Sequence, residues 1–163
     1  MQIRIINWAL VTFIISGFHF YGMAQTSQSE LKNLSQNADV IITGKVTQQN
    51  SSWNETRTRI YTIATIQVEE TIKGGGQNHV DVRYPGGEVG DVGELYSHMP
   101  TFANNEEVLV FLKRDENSPA YKVLNGEEGK LTVIADPKTG EKVVGQNIKV
   151  NSLTSQIKSY IND

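Results

Sequence analysis

The sequence predicts a mainly β protein, a small β-barrel or sandwich that carries a helix near each end of the chain. Six or seven short segments alternate apolar and polar residues, a pattern that is typical of half-buried strands. Amphipathic segments with helical spacing lie before the first of these strands and after the last. Short strands with helices outside them are typical of small barrels and sandwiches.

The first predicted elements follow a leading segment of 24 residues. Ser27 to Glu30 fits a capping box, so a short helix should run to about Gln36. Asp39 to Gln48 predicts a strand, and the polar sequence NSSWNET after it predicts a loop. The clearest strand spans residues 59–72, where alternation puts these side chains on one face: Ile60, Thr62, Ala64, Ile66 and Val68.

The next strands follow a glycine-rich turn. HVDVRY, residues 79–84, alternates strictly, so Val80, Val82 and Tyr84 should point inward. EEVLVFLKR, residues 106–114, predicts a buried strand with a charged end. AYKVL, residues 120–124, predicts another strand after a turn.

The last part of the chain predicts a hairpin and a helix. GKLTVI and EKVVG are joined by residues 136–140, in which Pro137 presets φ and Gly140 takes the left-handed position. Residues 152–162 place these side chains on one face of a helix: Leu153, Ile157, Tyr160 and Ile161.

The leading segment has the features of a secretory signal peptide. Arg4 supplies a short positive region, an apolar run extends from Ile5 to Ile15, and small residues stand just before residue 25. We therefore expect residues 1–24 to be a signal peptide and residues 25–163 to form a single β-barrel domain. The mature protein would be secreted or periplasmic. An uncleaved membrane anchor is the alternative.

The composition excludes several classes of function. The chain has no cysteine, which excludes disulfides, thiolate metal sites and thiol catalysis. Its formal net charge is −3 at pH 7, and a mildly acidic chain is poorly suited to binding nucleic acid or anionic lipid. We expect a monomer with no nucleic-acid partner and no membrane contact after signal removal. A cysteine-free exported domain also fits a bacterial source.

The sequence from residue 87 to residue 95 consists of three glycine triplets. No helical pattern and no Gly-Lys-Ser/Thr follow, which argues against a dinucleotide fingerprint and a P-loop. The favoured interpretation is a strand with bulges, bent by glycine where a small barrel turns a corner. A weak calcium site formed by Glu88, Asp91 and Glu94 is the alternative.

Catalytic and metal-binding motifs are absent from the sequence. It contains no H-E-x-x-H, G-x-S-x-G or C-x-x-C. His79 and Asp81 share an outward strand face and would bind a metal only with a third partner, so a solvated face is the simpler interpretation. We expect no catalytic residues, no metal and no cofactor.

A binding site is predicted around Trp53. This aromatic residue precedes Arg57 and Arg59 in a polar stretch, which is the composition of a binding hot spot. Arg83 leaves its strand just before the glycine bend that carries Glu88. If the barrel gathers them, these five residues form an aromatic centre with a charged rim. Alternatively, Trp53 folds over an open barrel end and Arg83 pairs with Glu88 to brace the bend.

Several segments carry a family resemblance. NADVIITGKV, VEETIKG, EEVLVFLKR and NSLTSQIKSYI together resemble the netrin-like module of tissue inhibitors of metalloproteinases, which implies an OB-like barrel with flanking helices. The chain is also similar to bacterial secreted proteins of unknown function that have a comparable Trp loop and Arg-x-Pro-Gly-Gly segment, here Trp53 and residues 83–87. Those inhibitors chelate zinc through an N-terminal cysteine. This chain has none, so the resemblance implies the fold and not that mechanism.

The function expected from these observations is an exported, non-enzymatic binding module with an unidentified protein partner, for which a secreted peptidase is one candidate. The second hypothesis is a peptidase inhibitor that acts through loops. The third is an enzyme, for which His79, Asp81 and Glu88 are the cluster with the best case.

Overall fold

The computed structural model describes residues 28–162. The elements in chain order are α1 (Gln28–Asn37), β1 (Val40–Trp53), β2 (Ile60–Lys73), β3 (His79–Pro85), β4 (Gly87–Val89), β5 (Val92–Glu94), β6 (Glu107–Arg114), β7 (Tyr121–Val123), a short 3-10 helix (Gly126–Gly129), β8 (Lys130–Ala135), β9 (Lys142–Val144), β10 (Ile148–Lys149) and α2 (Val150–Asn162). The predicted signal peptide and Ser27 of the capping box lie outside the described residues.

Five of the strands close a β-barrel. They are hydrogen-bonded in the order β1-β2-β3-β7-β6, and β6 pairs back with β1. The β3–β7 pair is parallel and the other barrel pairs are antiparallel. β8, β9 and β10 continue the sheet from β6. The predicted fold class, a mainly β barrel with one helix on each side in sequence, is confirmed.

The barrel interior is built by the predicted alternation. Ala64 of β2 lies opposite Val82 of β3, and Ile66 lies opposite Val80; all four side chains are buried. Opposite residues of an antiparallel pair share a face of the sheet, so these strands contribute matched rows to the core. Tyr84 completes the inward row of β3 as predicted.

A second core lies between the outside of the barrel and the two helices. Leu109 and Phe111 of β6 point into it and meet Leu34 of α1 and Ile157 of α2. The alternate residues of β6 point into the barrel instead. Because both faces of β6 are covered, its apolar residues from 108 to 112 are all buried, which explains the unbroken apolar run in the sequence. None of the helices among residues 28–162 is long and apolar enough to cross a bilayer.

The strand β1 is longer than the sequence suggested. Residues 50–53, predicted as loop, are strand, and Trp53 lies opposite Ile60 at the end of a long β1–β2 ribbon. The polar residues of this stretch continue the pairing beyond the apolar core: the hydroxyls of Ser51 and Thr62 are 2.8 Å apart. The loop prediction was wrong there because polarity reflects exposure and not backbone pairing.

The glycine triplets form a hairpin and not a single bulged strand. β4 and β5 pair with each other, and Gly90 and Asp91 form the turn between them. The predicted bend is present just before the hairpin, where Gly86 has φ 103° and Gly87 has φ 121°. Gly90, with φ 62°, takes the left-handed conformation that a tight turn requires. That turn is what divides the predicted strand in two.

Candidate binding groove

A groove lies between the glycine hairpin and the mouth of the barrel. It consists of two adjoining depressions that share Tyr84, Pro85 and Met99. The first, of about 400 Å³, is bordered by hairpin residues 86–88 and 93–96 on one side and by Thr101 and Phe102 on the other. The second, of about 250 Å³, continues past Pro85 and has these further lining residues: Tyr61, Arg83, Pro100, Asp115, Lys122, Val123 and Gly126. We call the two depressions together the hairpin groove.

Apolar side chains are exposed along the hairpin groove. The side chain of Leu95 is 85% exposed, and Met99 is 41% exposed. Val92, at the hairpin turn, is 47% exposed. Single exposed apolar residues are common on protein surfaces, but Leu95 and Met99 line the same depression, and an apolar patch beside a groove is typical of an interaction site.

Hydrogen bonds to Ile60 fix the hairpin against the barrel. The carboxylate of Glu94 accepts one from the backbone N–H of Ile60, at 3.0 Å, and the Ile60 carbonyl accepts one from the N–H of Gly86, at 2.9 Å. The Tyr96 hydroxyl donates to the same Glu94 oxygen at 2.9 Å, and this hydrogen bond raises the pKa of Tyr96 above its usual range. The backbone at Leu95 therefore lies between two residues whose side chains are hydrogen-bonded.

The floor of the groove is aromatic. The rings of Tyr84 and Phe102 lie 5.4 Å apart between centroids, and the Tyr84 hydroxyl donates to the side-chain carbonyl of Gln49. Burial raises the pKa of Tyr84, so this phenol stays neutral at physiological pH. The ammonium of Lys130 lies 5.0 Å from the centre of the Phe102 ring. Both rings are buried, so the apolar surface that a ligand could contact here is that of Leu95 and Met99.

Glu106 and Lys130 support the far wall of the groove. Their side chains form an ion pair at 2.6 Å, and Lys130 also donates to the backbone carbonyl of Thr101. Burial alone would raise the pKa of Glu106, but hydrogen bonds from Lys130, Thr132 and the backbone N–H of Ala103 outweigh it and hold this pKa below its usual value. The segment that carries Phe102 is thereby tied to β8.

Trp53, Arg57 and Arg59 lie at the tip of the β1–β2 ribbon and do not line the hairpin groove. Trp53 is half-buried, and Arg59 places its guanidinium 5.9 Å from the centre of the Tyr96 ring. Arg57 is exposed, adopts φ 53°, and makes no ion pair within the described part of the chain. Of these three predicted residues, Arg59 is the one in contact with a groove residue.

Arg83 and Glu88 line the two adjoining depressions but do not pair. The guanidinium of Arg83 stacks on the Tyr61 ring at 3.6 Å and contacts the carboxylate of Asp115 at 3.4 Å. Glu88 is exposed on β4. The alternative Arg83–Glu88 brace does not form, because β3 directs Arg83 to the outer face of the barrel, where Tyr61 and Asp115 are its neighbours.

The metal clusters weighed as alternatives are not assembled among residues 28–162. His79 and Asp81 are exposed on β3, and Asp81 accepts a hydrogen bond from Thr65 at 2.7 Å. No three His, Asp or Glu side chains of this part of the chain lie close enough together to hold a metal ion. That finding covers both the His79 cluster and the three acidic residues of the hairpin.

Sequence reasoning missed Leu95, Tyr96 and Met99. A signal for the hairpin was present, because Gly90-Asp91 between Val89 and Val92 is a two-residue turn flanked by β-formers. With the hairpin recognised, Leu95 becomes an apolar residue directly after an edge strand. The sequence does not indicate the exposure of Leu95, because exposure depends on which parts of the folded chain lie around the residue.

The fold and groove define a small closed β-barrel domain with two packed helices and a surface site beside a hairpin. No protein-family model matches this chain, and no curated protein is significantly similar to it.

Proposed function

We propose that this protein is an exported, non-enzymatic binding module that holds a protein partner in the hairpin groove. The observation that carries the proposal is the 85% exposure of Leu95 between two anchored residues, Glu94 and Tyr96, at the rim of that groove. A partner that buries this side chain orders little backbone when it binds, because the segment on either side of Leu95 is already anchored. Met99, which is 41% exposed in the same depression, would extend the contact.

We also propose that the barrel is of the OB type. Five strands, closed by β1 pairing with β6 and joined by one parallel pair, support this assignment. OB barrels commonly bind ligands with one face of the sheet and the loops beside it. The hairpin groove occupies such a position, next to β3 and the connection from β3 to β6.

Peptidase inhibition is a second candidate function, and the anchored residues on either side of Leu95 favour it. An inhibitor that acts through a loop presents one side chain on a backbone that does not move when the peptidase closes on it. Leu95 follows β5 outside any strand, and the residues on either side of it are anchored to the barrel or to each other. A panel of purified peptidases, assayed with wild type and Leu95→Ser, tests this candidate.

Partner capture tests the leading proposal. Immobilised wild-type protein is incubated with the extracellular fraction of the native host, beside Leu95→Ser and a control, Ile134→Ser. Ile134 is 52% exposed on β8 and does not line the groove, so its replacement removes similar apolar surface elsewhere. We expect Leu95→Ser to lose the partner that wild type and Ile134→Ser retain. Equal capture by all three would contradict the proposal.

Export has its own test. Mass spectrometry of the protein from its native host should find an N-terminus at Gln25 or its pyroglutamate form. An intact Met1 in the membrane fraction would contradict secretion.

A further inference from the structure

We propose that the partner binds as an extended, basic peptide segment that adds a third strand to the hairpin along the free edge of β5. This inference rests on the proposed function and specifies how the partner is held. Its three supports are the open edge of β5, a glycine that folding does not require, and the charge of the hairpin.

The edge of β5 is open. Within residues 28–162, β5 pairs with β4 alone. Val89 and Val92 close a two-residue turn and therefore exchange backbone hydrogen bonds, so the next pair, Glu88 and Gly93, directs its backbone groups away from the other strand. The N–H and C=O of Gly93 consequently face outward. These two groups offer an added strand two backbone hydrogen bonds.

Gly93 is not explained by the fold of the hairpin. Gly86, Gly87 and Gly90 all have positive φ, whereas Gly93 does not. A Cβ built on Gly93 would lie 3.4 Å from Cγ of Glu88, which is an ordinary van der Waals contact. A strand glycine that neither backbone conformation nor packing requires often marks a place where another backbone approaches closely.

The groove beside this edge suits an extended chain. Gly93, Glu94 and Leu95 border one side of the first depression, and Met99 and Thr101 border the other. A strand places alternate side chains on opposite faces. In a strand added beside β5, every second side chain would lie on the face of the hairpin that borders the groove, and the others would point to the solvent side.

The charge of the hairpin identifies the chemistry of the peptide. Its acidic residues are Glu88, Asp91 and Glu94, and the sequence from residue 86 to residue 95 contains no Lys, Arg or His. Glu88 and Asp91 are exposed and have no salt-bridge partner within the described residues. Arg83, in the second depression, is compensated by Asp115. Lysine or arginine at the solvent-side positions of the peptide would complement this surface.

The test begins with a phage-displayed library of short random peptides selected on the full mature chain. We expect selected sequences to alternate apolar residues with lysine or arginine. A selected peptide is then synthesised in two forms, N-methylated at one or the other set of alternate residues. One set should lose affinity by about tenfold or more, because those N–H groups bond to β5, and the other should bind like the parent.

Two protein variants complete the experiment. Gly93→Pro removes the outward N–H and is expected to weaken the parent peptide about tenfold or more, which fluorescence anisotropy measures. Glu88→Lys combined with Asp91→Lys is expected to weaken the binding of basic peptides and to reverse its salt dependence, because added salt then screens a repulsion. The methylated peptides provide the same information with unaltered protein, so a folding defect in Gly93→Pro does not decide the outcome.

The possible outcomes separate this inference from the proposed function. Equal affinity of the two methylated forms, selection of acidic peptides, or failure to select any peptide would overturn strand addition. If partner capture still depends on Leu95, the binding function stands and another docking mode replaces this one. If capture is also independent of Leu95, both proposals fall.

Discussion

Glu94 reaches the barrel across 34 positions of sequence, where its carboxylate accepts a 3.0 Å hydrogen bond from the backbone N–H of Ile60. The N–H of Gly86 donates to the carbonyl of the same residue. Both polar groups of one backbone position at the start of β2 are therefore satisfied by the two ends of the hairpin. The hairpin is fastened at its base, while its turn at Gly90 and Asp91 is exposed.

Replacing Glu94 should loosen this attachment. Glu94→Ala leaves the N–H of Ile60 and the hydroxyl of Tyr96 without their acceptor, so we expect the free energy of unfolding to fall by about 1–3 kcal/mol. Urea denaturation measures the change, and hydrogen exchange at residues 87–94 should accelerate. Glu94→Gln keeps an acceptor oxygen and should therefore lose less stability than Glu94→Ala. Unchanged exchange in the alanine variant would contradict the anchoring role.

The hairpin glycines should differ in their tolerance of alanine. Gly87 combines φ 121° with a position where a Cβ would collide with the hydroxyls of Ser51 and Thr62, so Gly87→Ala should cost well over 1 kcal/mol. Gly90 has φ 62° and open space around it, so Gly90→Ala should cost about 1 kcal/mol. Gly93→Ala should change stability little. Thermal denaturation of the three variants gives the order of their stability losses. Equal losses would show that the backbone conformation of each glycine does not set its tolerance of alanine.

The stability of the barrel should depend on pH through Glu106. Its folded-state pKa lies below the ordinary value of 4.5, so the carboxylate contributes stability above about pH 4.5 and loses it as the pH falls through the folded-state pKa. Glu106→Gln should be less stable than wild type at neutral pH, and the difference should shrink on acidification. Glu116→Gln, at an exposed turn position, is the control. A difference that stays constant between neutral and acidic pH would contradict this prediction.

Replacing Trp53 should lower the stability of the protein, whereas replacing Arg57 should not. Trp53 is half-buried at the end of the ribbon, so Trp53→Ala should lower the free energy of unfolding by about 2 kcal/mol, less than the 3–5 kcal/mol of a fully buried aromatic residue. Arg57→Ala should stay within about 0.5 kcal/mol of wild type, because its side chain is exposed. Chemical denaturation compares the two. A Trp53→Ala variant as stable as wild type would assign Trp53 to contact alone.

Strands with one buried face could be predicted residue by residue. The inward rows of β2 and β3 are those that the alternation of Ile60 to Ile66 and Val80 to Tyr84 indicated, because burial on one face imposes a period of two. Where pairing continues outside the core, as at residues 50–53, no such pattern exists and the strand was missed.

The site was less predictable than the fold. Arg83 was expected to face outward, and it does, but its partner Asp115 lies 32 positions away in a turn. Exposure of Leu95 depends on the attachment of the hairpin through Glu94, which joins elements distant in sequence. Composition identifies aromatic and arginine residues as candidates, while the groove arises from how the hairpin and barrel meet.

The double burial of β6 has a consequence for the unfolded chain. Val-Leu-Val-Phe-Leu, residues 108–112, combines high β-propensity with complete apolarity, so before folding it is a segment prone to pair with copies of itself. Glu106 and Glu107 precede it, and Lys113 and Arg114 follow it. In-register stacking of parallel copies would bring like charges together at both ends of the segment. These four charges therefore act as gatekeepers against aggregation until both cores have closed over the strand.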